Sequence, residues 1–325
     1  MIQTFRKAIR KYRSDGMHSL LFTGYEYLFD FSVRMVHPAT LCTRKFERSY
    51  GRGIDIMTED WDNLILFDAC RYDEFARENP FAGKLKRTVS QGRDSAEFLS
   101  QNVFGRELHD TVYVTANPHV HNIDSDVFHA VIDEPIRDNF DDDIGTVLPE
   151  HVTDAAIRAH RKFPNKRLLV HYMQPHMPPI GEMIEQLDKL QSGFDMRGTQ
   201  GDRDRFYNLV ERGVVSPEEA KTAYRQNLRK VFQEIPSLSE IEGKTVISAD
   251  HGELLGESPC LFMGPSWSHG LTRSYFPKTE ALCLVPWFEL DRQTPRRTIT
   301  KEKPVETNRI DEAHAKEQLE ALGYL

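Results

Sequence analysis

Four consecutive apolar residues, Leu64, Ile65, Leu66 and Phe67, lie between Trp61-Asp62-Asn63 and Asp68. A run without polar alternation predicts a strand buried on both faces, as in a parallel sheet. Residues 167–172 read as a second central strand and 245–247, β-branched, as a third; shorter strands are expected over 87–90, 111–115 and 282–287. Between them the apolar spacing becomes helical: over 71–77, over 95–104 with Phe98, Leu99 and Val103, over 152–163 up to Pro164, and over 310–322. Asp94 or Ser95 would cap the 95–104 helix. The 216–235 helix opens on Ser216-Pro217-Glu218-Glu219, a cap, a first-turn proline and acids at the positive end. Residues 117–143 are polar and read as loop-rich, and the charged, glycine-studded stretch 181–216 reads as an insertion or lid. Strands alternating with helices predict an α/β fold, a largely parallel central sheet sandwiched between helices.

The charge balance divides this picture. The net charge of −8 argues against nucleic acid as the main partner, yet residues 1–53 carry ten basic against four acidic side chains. Ile2, Phe5, Ile9 and Tyr12 share one helical side while Arg6, Lys7, Arg10, Lys11 and Arg13 cover much of the rest. That pattern predicts either peripheral contact with an anionic membrane through residues 1–35 or a helix docked on its own domain. A second aromatic-rich helix is expected over 18–35, ended by His37-Pro38; its apolar part, interrupted by Glu26 and Asp30, falls short of the about 20 residues that span a bilayer. The expected division is a helical extension, 1–53, and a catalytic domain, 54–325. Cys42, Cys70, Cys260 and Cys283 form no C-x-x-C pair and no signal peptide precedes them. They read as reduced thiols of a cytoplasmic protein, peripheral at the inner membrane face.

The chemistry gathers at strand ends. Asp250-His251-Gly252 follows the 245–247 strand, so carboxylate, imidazole and a turn-permitting glycine arrive together, an ordinary opening for a metal site. Asp68 and His176 also stand at carboxyl ends of predicted strands, where ligands bind in parallel sheets. Two other constellations are weaker. Cys70-Arg71 suggests a thiol nucleophile, but a phosphatase cradle needs arginine six residues after the cysteine and Ala76 stands there. His119-x-His121 could be a metal pair, without a third ligand nearby.

With these pieces placed, residues 60–325 resemble the sulfatase-like branch of the alkaline phosphatase superfamily. The resemblance rests on Asn63-Leu-Ile-Leu-Phe-Asp68-Ala-Cys-Arg71, on Gln174-Pro-His176-Met-Pro178 as the P-H-x-P loop, on Ser248-Ala-Asp250-His251-Gly-Glu253-Leu-Leu-Gly256-Glu257, and on the closing Leu319-Glu-Ala-Leu-Gly-Tyr-Leu325. It implies one divalent ion (Ca, Mg, Mn or Zn) on Asp68, Asp250, His251 and Ser95, with Ser95 at a helix N-terminus as nucleophile and Ser90 as second candidate. It further implies that His176 contacts the transferred group and that His269 takes a substrate-binding or second-metal place. Against the two-metal P-D-x-x-G-H loop, His176 replaces the Asp and Ile180-Gly181 supplies no His, which leaves a second site incomplete. The sulfatase maturation motif C/S-x-P-S/A-R is absent after both serines. The expected function is therefore a metal-dependent hydrolase or transferase of phosphoesters rather than sulfate esters, on a small-molecule or glycan- or lipid-linked substrate. The alternative is a catalytically silent scaffold with the same fold, attached to a membrane or partner.

Overall fold

The computed structural model describes residues 38–181, 206–261, 263–269, 277–291 and 294–322. Both helices expected before residue 36 and most of 181–216 lie outside the described residues. Among the described residues there are nine strands: β1 (Asn63–Asp68), β2 (Gly83–Val89), β3 (Leu108–Thr115), β4 (Phe128–Ile132), β5 (Phe140–Asp141), β6 (Thr146–Val147), β7 (Arg167–Pro175), β8 (Thr245–Ala249) and β9 (Leu284–Leu290). β5 and β6 make a small ribbon, and the other seven form one sheet in the order β2-β9-β8-β1-β7-β3-β4. β4, β3, β7, β1 and β8 are parallel, β9 runs against β8, and β2 runs against β9. The fold is thus mixed α/β around a mostly parallel sheet.

Burial follows the apolar runs. Every residue of β1 is buried, as is every residue of β7 after Arg167, because both strands have neighbours on each side and helices packed over them. The principal helices are α1 (Pro38–Tyr50), α2 (Tyr72–Glu78), α3 (Ser95–Asn102), α4 (Pro149–Lys162), α5 (Pro217–Phe232) and α6 (Glu312–Leu322). α4 packs on β7 and β3, and α5 on β7 and α2. Phe67 on β1 anchors this layer, meeting Tyr172 and Phe232 edge-on at 6.0 and 5.8 Å between ring centroids. Such aromatic pairs contribute roughly 0.5–1.5 kcal/mol each beyond their buried area.

The sheet has one strand that its sequence hides. β4 falls inside the stretch expected to be loop-rich, because its five residues include His129 and stand among polar neighbours. His129 is buried, and its Nδ1 lies 2.9 Å from the carbonyl oxygen of Lys303, while Val305 N–H donates to the His129 carbonyl. The C-terminal segment thus satisfies the strand's polar groups from 174 residues away, a tertiary partner invisible to a local pattern. A second difference concerns Pro38. Expected to end a helix that lies outside the described residues, it stands at the first position of α1, where its missing N–H costs nothing.

α1 is fastened to the domain beside it. Phe46 packs with Leu254, Leu282, Cys283 and Leu284. Lys278 N–H donates to Thr43 Oγ1 at 3.0 Å, and Tyr50 Oη donates to the Glu280 carboxylate at 2.6 Å. Cys42 and Cys260 form a disulfide across 218 residues of sequence. This corrects the expectation of four reduced thiols: only Cys70 and Cys283 are free, both buried, and a pair so far apart leaves no spacing motif to read. Thiol titration of the unfolded, unreduced protein should therefore find two groups, rising to four after reduction; four from the start would exclude the bridge.

Parallel pairing also decides where chemistry can sit. β1, β3, β7 and β8 end at one edge of the sheet, with Phe67 beside Tyr172 and Ala249, and Thr115 beside His171. Two successive antiparallel pairings bring the end of β2 to the same edge. The residues that follow these five strands are Asp68, Asn117, His176, Asp250-His251 and, after β2, Ser95.

Candidate metal centre

Asp68 closes β1, and the chain then turns through Ala69, which has a left-handed φ of 60°. Tyr224 of α5 braces this turn. Its hydroxyl donates to the Ala69 carbonyl at 2.6 Å and accepts from Arg71 N–H at 3.0 Å. The arrangement aims Ala69 N–H at Asp250 Oδ1, 3.2 Å away, where His251 N–H also donates at 2.8 Å. Two backbone donors on Oδ1 fix the Asp250 carboxylate and turn Oδ2 inward. Beyond His251 only glycine fits: a Cβ on Gly252 would stand 2.0 Å from the Ala281 carbonyl oxygen, while its N–H donates to Leu282 at 2.7 Å. The chain passes tightly under that segment and returns Glu253 to the site.

Ser95 arrives by a different route. β2 leads to Ser90, whose hydroxyl donates to the Asp250 carbonyl oxygen and accepts from Gly92 N–H. Ser90 is thereby occupied as a turn brace. Asp94 caps α3 by accepting from Glu97 N–H at 2.8 Å, so Ser95 is the first helical residue and its side chain serves the site instead of the cap. Ser95 Oγ lies 2.7 Å from Asp250 Oδ2, 3.2 Å from Asp68 Oδ2 and 3.4 Å from His251 Nε2. Asn117, which follows β3, donates from Nδ2 to both Ser95 Oγ (2.9 Å) and Asp68 Oδ2 (2.8 Å). Its Oδ1 accepts from His119 N–H at 2.9 Å, which fixes the orientation of the amide.

Asp68, Ser95, Asn117, Asp250 and His251 are all fully buried. Burial would raise the Asp68 pKa, but the hydrogen bond from His251 and the charges of His176, His251 and His171 outweigh it and hold the carboxyl well below its usual range. His251 is the converse. Burial favours the neutral ring, and the Asp250 and Asp68 carboxylates overcome it, pushing the imidazole up to about 10. Without metal, one imidazolium therefore offsets half the charge of the two buried carboxylates, and donors from Ala69 N–H, His251 N–H, Ser95 Oγ and Asn117 Nδ2 serve the rest, since charges left wholly unpaired there would be prohibitively costly. Two carboxylates, an imidazole nitrogen and a hydroxyl within one enclosed cluster form an oxygen and nitrogen donor set that suits a divalent cation, which would take over the neutralising charge as His251 loses its proton.

A second cluster adjoins the first. His176, Glu253 and His269 present donor atoms within 4.8 Å of one another, all buried. His269 Nδ1 is 3.4 Å from Glu253 Oε1, and among the described residues neither Glu253 oxygen has a hydrogen-bond partner despite complete enclosure. The His269 ring centroid stands 5.1 Å from that of His176 and 4.6 Å from that of His251, so the clusters are contiguous. Sequence spacing offers no ligand after the proline loop to complete a second site; the structure brings Glu253 there instead.

Every site residue expected from sequence, Asp68, Ser95, His176, Asp250, His251 and His269, lies at this edge. Three partners were not foreseen: Asn117, Glu253 and His171, the last with Nε2 3.4 Å from Asp250 Oδ2. Glu253 had a signal, standing two residues beyond His251 across a glycine. Among the described residues His119 and His121 join neither cluster. Burial lowers the His119 pKa to about 4, with Asp94 and Asp68 pulling it back only in part. Cys70 is fully buried, and desolvation first, then nearby Asp73, Asp250 and Glu74, hold it as a thiol rather than a nucleophilic thiolate.

No family model and no curated protein matches the chain. Among solved structures it is similar to the C-terminal periplasmic domain of EcEptC from Escherichia coli, with 13% identity over 76% of each chain and a TM-score of 0.38. A zinc complex of that domain gives 12% identity over 76% of each chain and a TM-score of 0.37. The corresponding domain of phosphoethanolamine transferase EptC from Campylobacter jejuni gives 12% identity over 70% of this chain and 77% of that one, with a TM-score of 0.38. The Cys42–Cys260 disulfide is of the kind found in oxidising compartments rather than in the cytoplasm. The cytoplasmic placement expected from the cysteine pattern is corrected accordingly.

Proposed function

We propose that the chain is a metal-dependent phosphotransferase or phosphoester hydrolase of the alkaline phosphatase superfamily, working through Ser95 as nucleophile. The observation that carries this reading is the position of Ser95 Oγ, fully buried at the start of α3 and within 3.4 Å of Asp68, Asp250 and His251. An ordinary surface N-cap serine has no such neighbours.

A divalent ion on Asp68, Asp250, His251 and Ser95 would supply Lewis acidity and lower the pKa of the serine hydroxyl. The chain's own groups do the rest. Ser95 donates its hydroxyl proton toward Asp250 Oδ2, which lines it up for transfer as Oγ attacks phosphorus. Asn117 Nδ2 donates to Ser95 Oγ and supports negative charge that develops there. His176 and His269, in the adjoining cluster, are then available to contact the phosphoryl group and to assist the departing oxygen with a proton as its bond to phosphorus breaks and the Oγ–P bond forms. Water or an acceptor hydroxyl then opens the phosphoserine, giving hydrolysis or transfer. Formylglycine chemistry is not expected, because neither serine precedes the maturation sequence.

The direct test is metal analysis of the purified protein combined with turnover on phosphate monoesters, phosphodiesters including a phosphoethanolamine lipid, and sulfate esters. Bound divalent metal with phosphoester turnover supports the reading; sulfate esters cleaved faster than every phosphoester would overturn it. Asn117→Ala removes one donor to the nucleophile and should lower turnover about 100-fold, and by stranding the buried His119 N–H it should also lower stability by roughly 1–3 kcal/mol. Unchanged turnover in steady-state kinetics would show that the amide has no part in the reaction.

A further inference from the structure

We infer that His171 and Tyr113 are positioning residues for Asp250. Tyr113 Oη hydrogen-bonds His171 Nδ1, and His171 Nε2 faces Asp250 Oδ2 at 3.4 Å, a buried relay that would keep the carboxylate in its metal-binding orientation. The inference rests on the reading of Asp250 as a metal ligand.

His171 is out of character with its strand. β7 is otherwise apolar around it, with Leu168, Leu169, Val170, Tyr172 and Met173, and its imidazole is fully enclosed. Buried polar groups in native proteins have partners, and Tyr113 on β3, also fully enclosed, supplies one at 2.9 Å from Nδ1. Pairing explains the meeting. Thr115 stands beside His171 across the β3–β7 ladder, and Tyr113, two residues earlier, projects to the same face as Thr115. On the other side His171 pairs with Leu66 and Leu66 with Ser248, so Asp250, two residues past Ser248, falls on the same face one step nearer the strand ends.

The carboxylate favours one tautomer. With Nε2 facing Asp250 Oδ2 the imidazole proton belongs on Nε2, because the opposite tautomer would point a lone pair at a carboxylate; Nδ1 then accepts from the Tyr113 hydroxyl, which can serve as donor. Among the described residues Nε2 makes no well-aligned hydrogen bond, and the acceptor it faces is Asp250 Oδ2 at 3.4 Å. Asp250 Oδ1 already accepts from two backbone N–H groups, whereas the donor on Oδ2 is the hydroxyl of Ser95. Ser95 cannot both hold Asp250 and leave to attack a substrate. His171 is the donor beside Oδ2 that takes no part in the reaction, and it alone of the two keeps its proton throughout. Carboxylate and histidine ligands depend on outer partners of this kind for geometry and affinity.

The test is zinc affinity, measured by chelator competition on the metal-stripped full chain, with thermal unfolding alongside. His171→Leu should weaken zinc binding about 10–100-fold, and His171→Gln, which keeps an N–H donor near the Nε2 position, should stay within about threefold of wild type. Tyr113→Phe, which removes the partner of Nδ1, should fall between them. Wild-type affinity in His171→Leu, or a loss in His171→Gln as large as in His171→Leu, would overturn the relay. If His171→Leu does not fold, unchanged zinc affinity in Tyr113→Phe overturns it instead. Asp250→Asn separates this from the underlying reading: a protein that binds zinc equally well without the Asp250 charge has no metal centre there, whereas one that needs Asp250 and ignores both relay variants has the centre and lacks the relay.

Discussion

Asp250→Asn is expected to abolish metal binding and turnover together while the protein stays folded. The substitution is isosteric, and the amide oxygen can still accept from Ala69 N–H and His251 N–H, the two bonds that fix the end of β8. What it removes is charge. In the metal-free protein Asp68 and Asp250 are like charges in one enclosed cluster, bridged by His251 at 3.4 and 3.5 Å. Deleting one of them relieves repulsion, so the apo variant should unfold no earlier than apo wild type. A cation, by contrast, loses one of its two carboxylates, and its affinity should fall at least about 100-fold, more than the loss of an outer partner produces. His251→Ala is the harsher companion. It also removes the ligand nitrogen, but leaves two buried carboxylates without their imidazolium, so its metal-free form should be the less stable of the two variants. Metal content by mass spectrometry, with calorimetry of the stripped proteins, reads both effects. Full metal occupancy in both variants, or a stripped Asp250→Asn protein far less stable than stripped wild type, would reject this account of the centre.

The sheet was legible where its strands are continuously apolar, because a strand between two neighbours with helices over it needs no polar face. β1, β7 and β8 are of that kind. β4 was not legible, since His129 is satisfied by a carbonyl contributed by the far C-terminal segment. The metal centre was legible to the extent that each ligand sits at the end of a recognisable strand or helix. Parallel topology then converts separate strand ends into one place, which makes Asp68, His176 and Asp250-His251 converge without any local signal. Residues whose role depends on a turn or on a neighbour were lost. Glu253 matters because Gly252 lets the chain double back, and Asn117 because His119 N–H consumes its oxygen and leaves its nitrogen for Ser95. The choice between Ser90 and Ser95, open on sequence, narrows on geometry: Ser90 spends its hydroxyl on the Asp250 carbonyl. The disulfide illustrates the same limit, for cysteines 218 residues apart carry no spacing.

The largest kinetic effect is expected at Ser95. Ser95→Ala leaves α3 intact, because Asp94 rather than Ser95 caps it, and it removes no buried apolar contact beyond a hydroxyl. Turnover should nevertheless fall by about four to six orders of magnitude, the scale seen when a nucleophile acting in concert with its neighbours is deleted. Wild-type protein given a labelled phosphoester under conditions that slow the second step should accumulate one covalent phosphate, and peptide mass spectrometry should place it on Ser95. Ser95→Ala should take up no label. Ser90→Ala should label normally wherever it folds, although loss of the brace to the Asp250 carbonyl should lower its thermal stability by roughly 1–3 kcal/mol, the penalty for stranding a buried acceptor. The two variants thus separate chemistry from architecture: one stable and inert, the other weakened and competent. Label on Ser90, or formylglycine at either serine or at a cysteine together with faster sulfate-ester cleavage, would show that the reaction runs through another group.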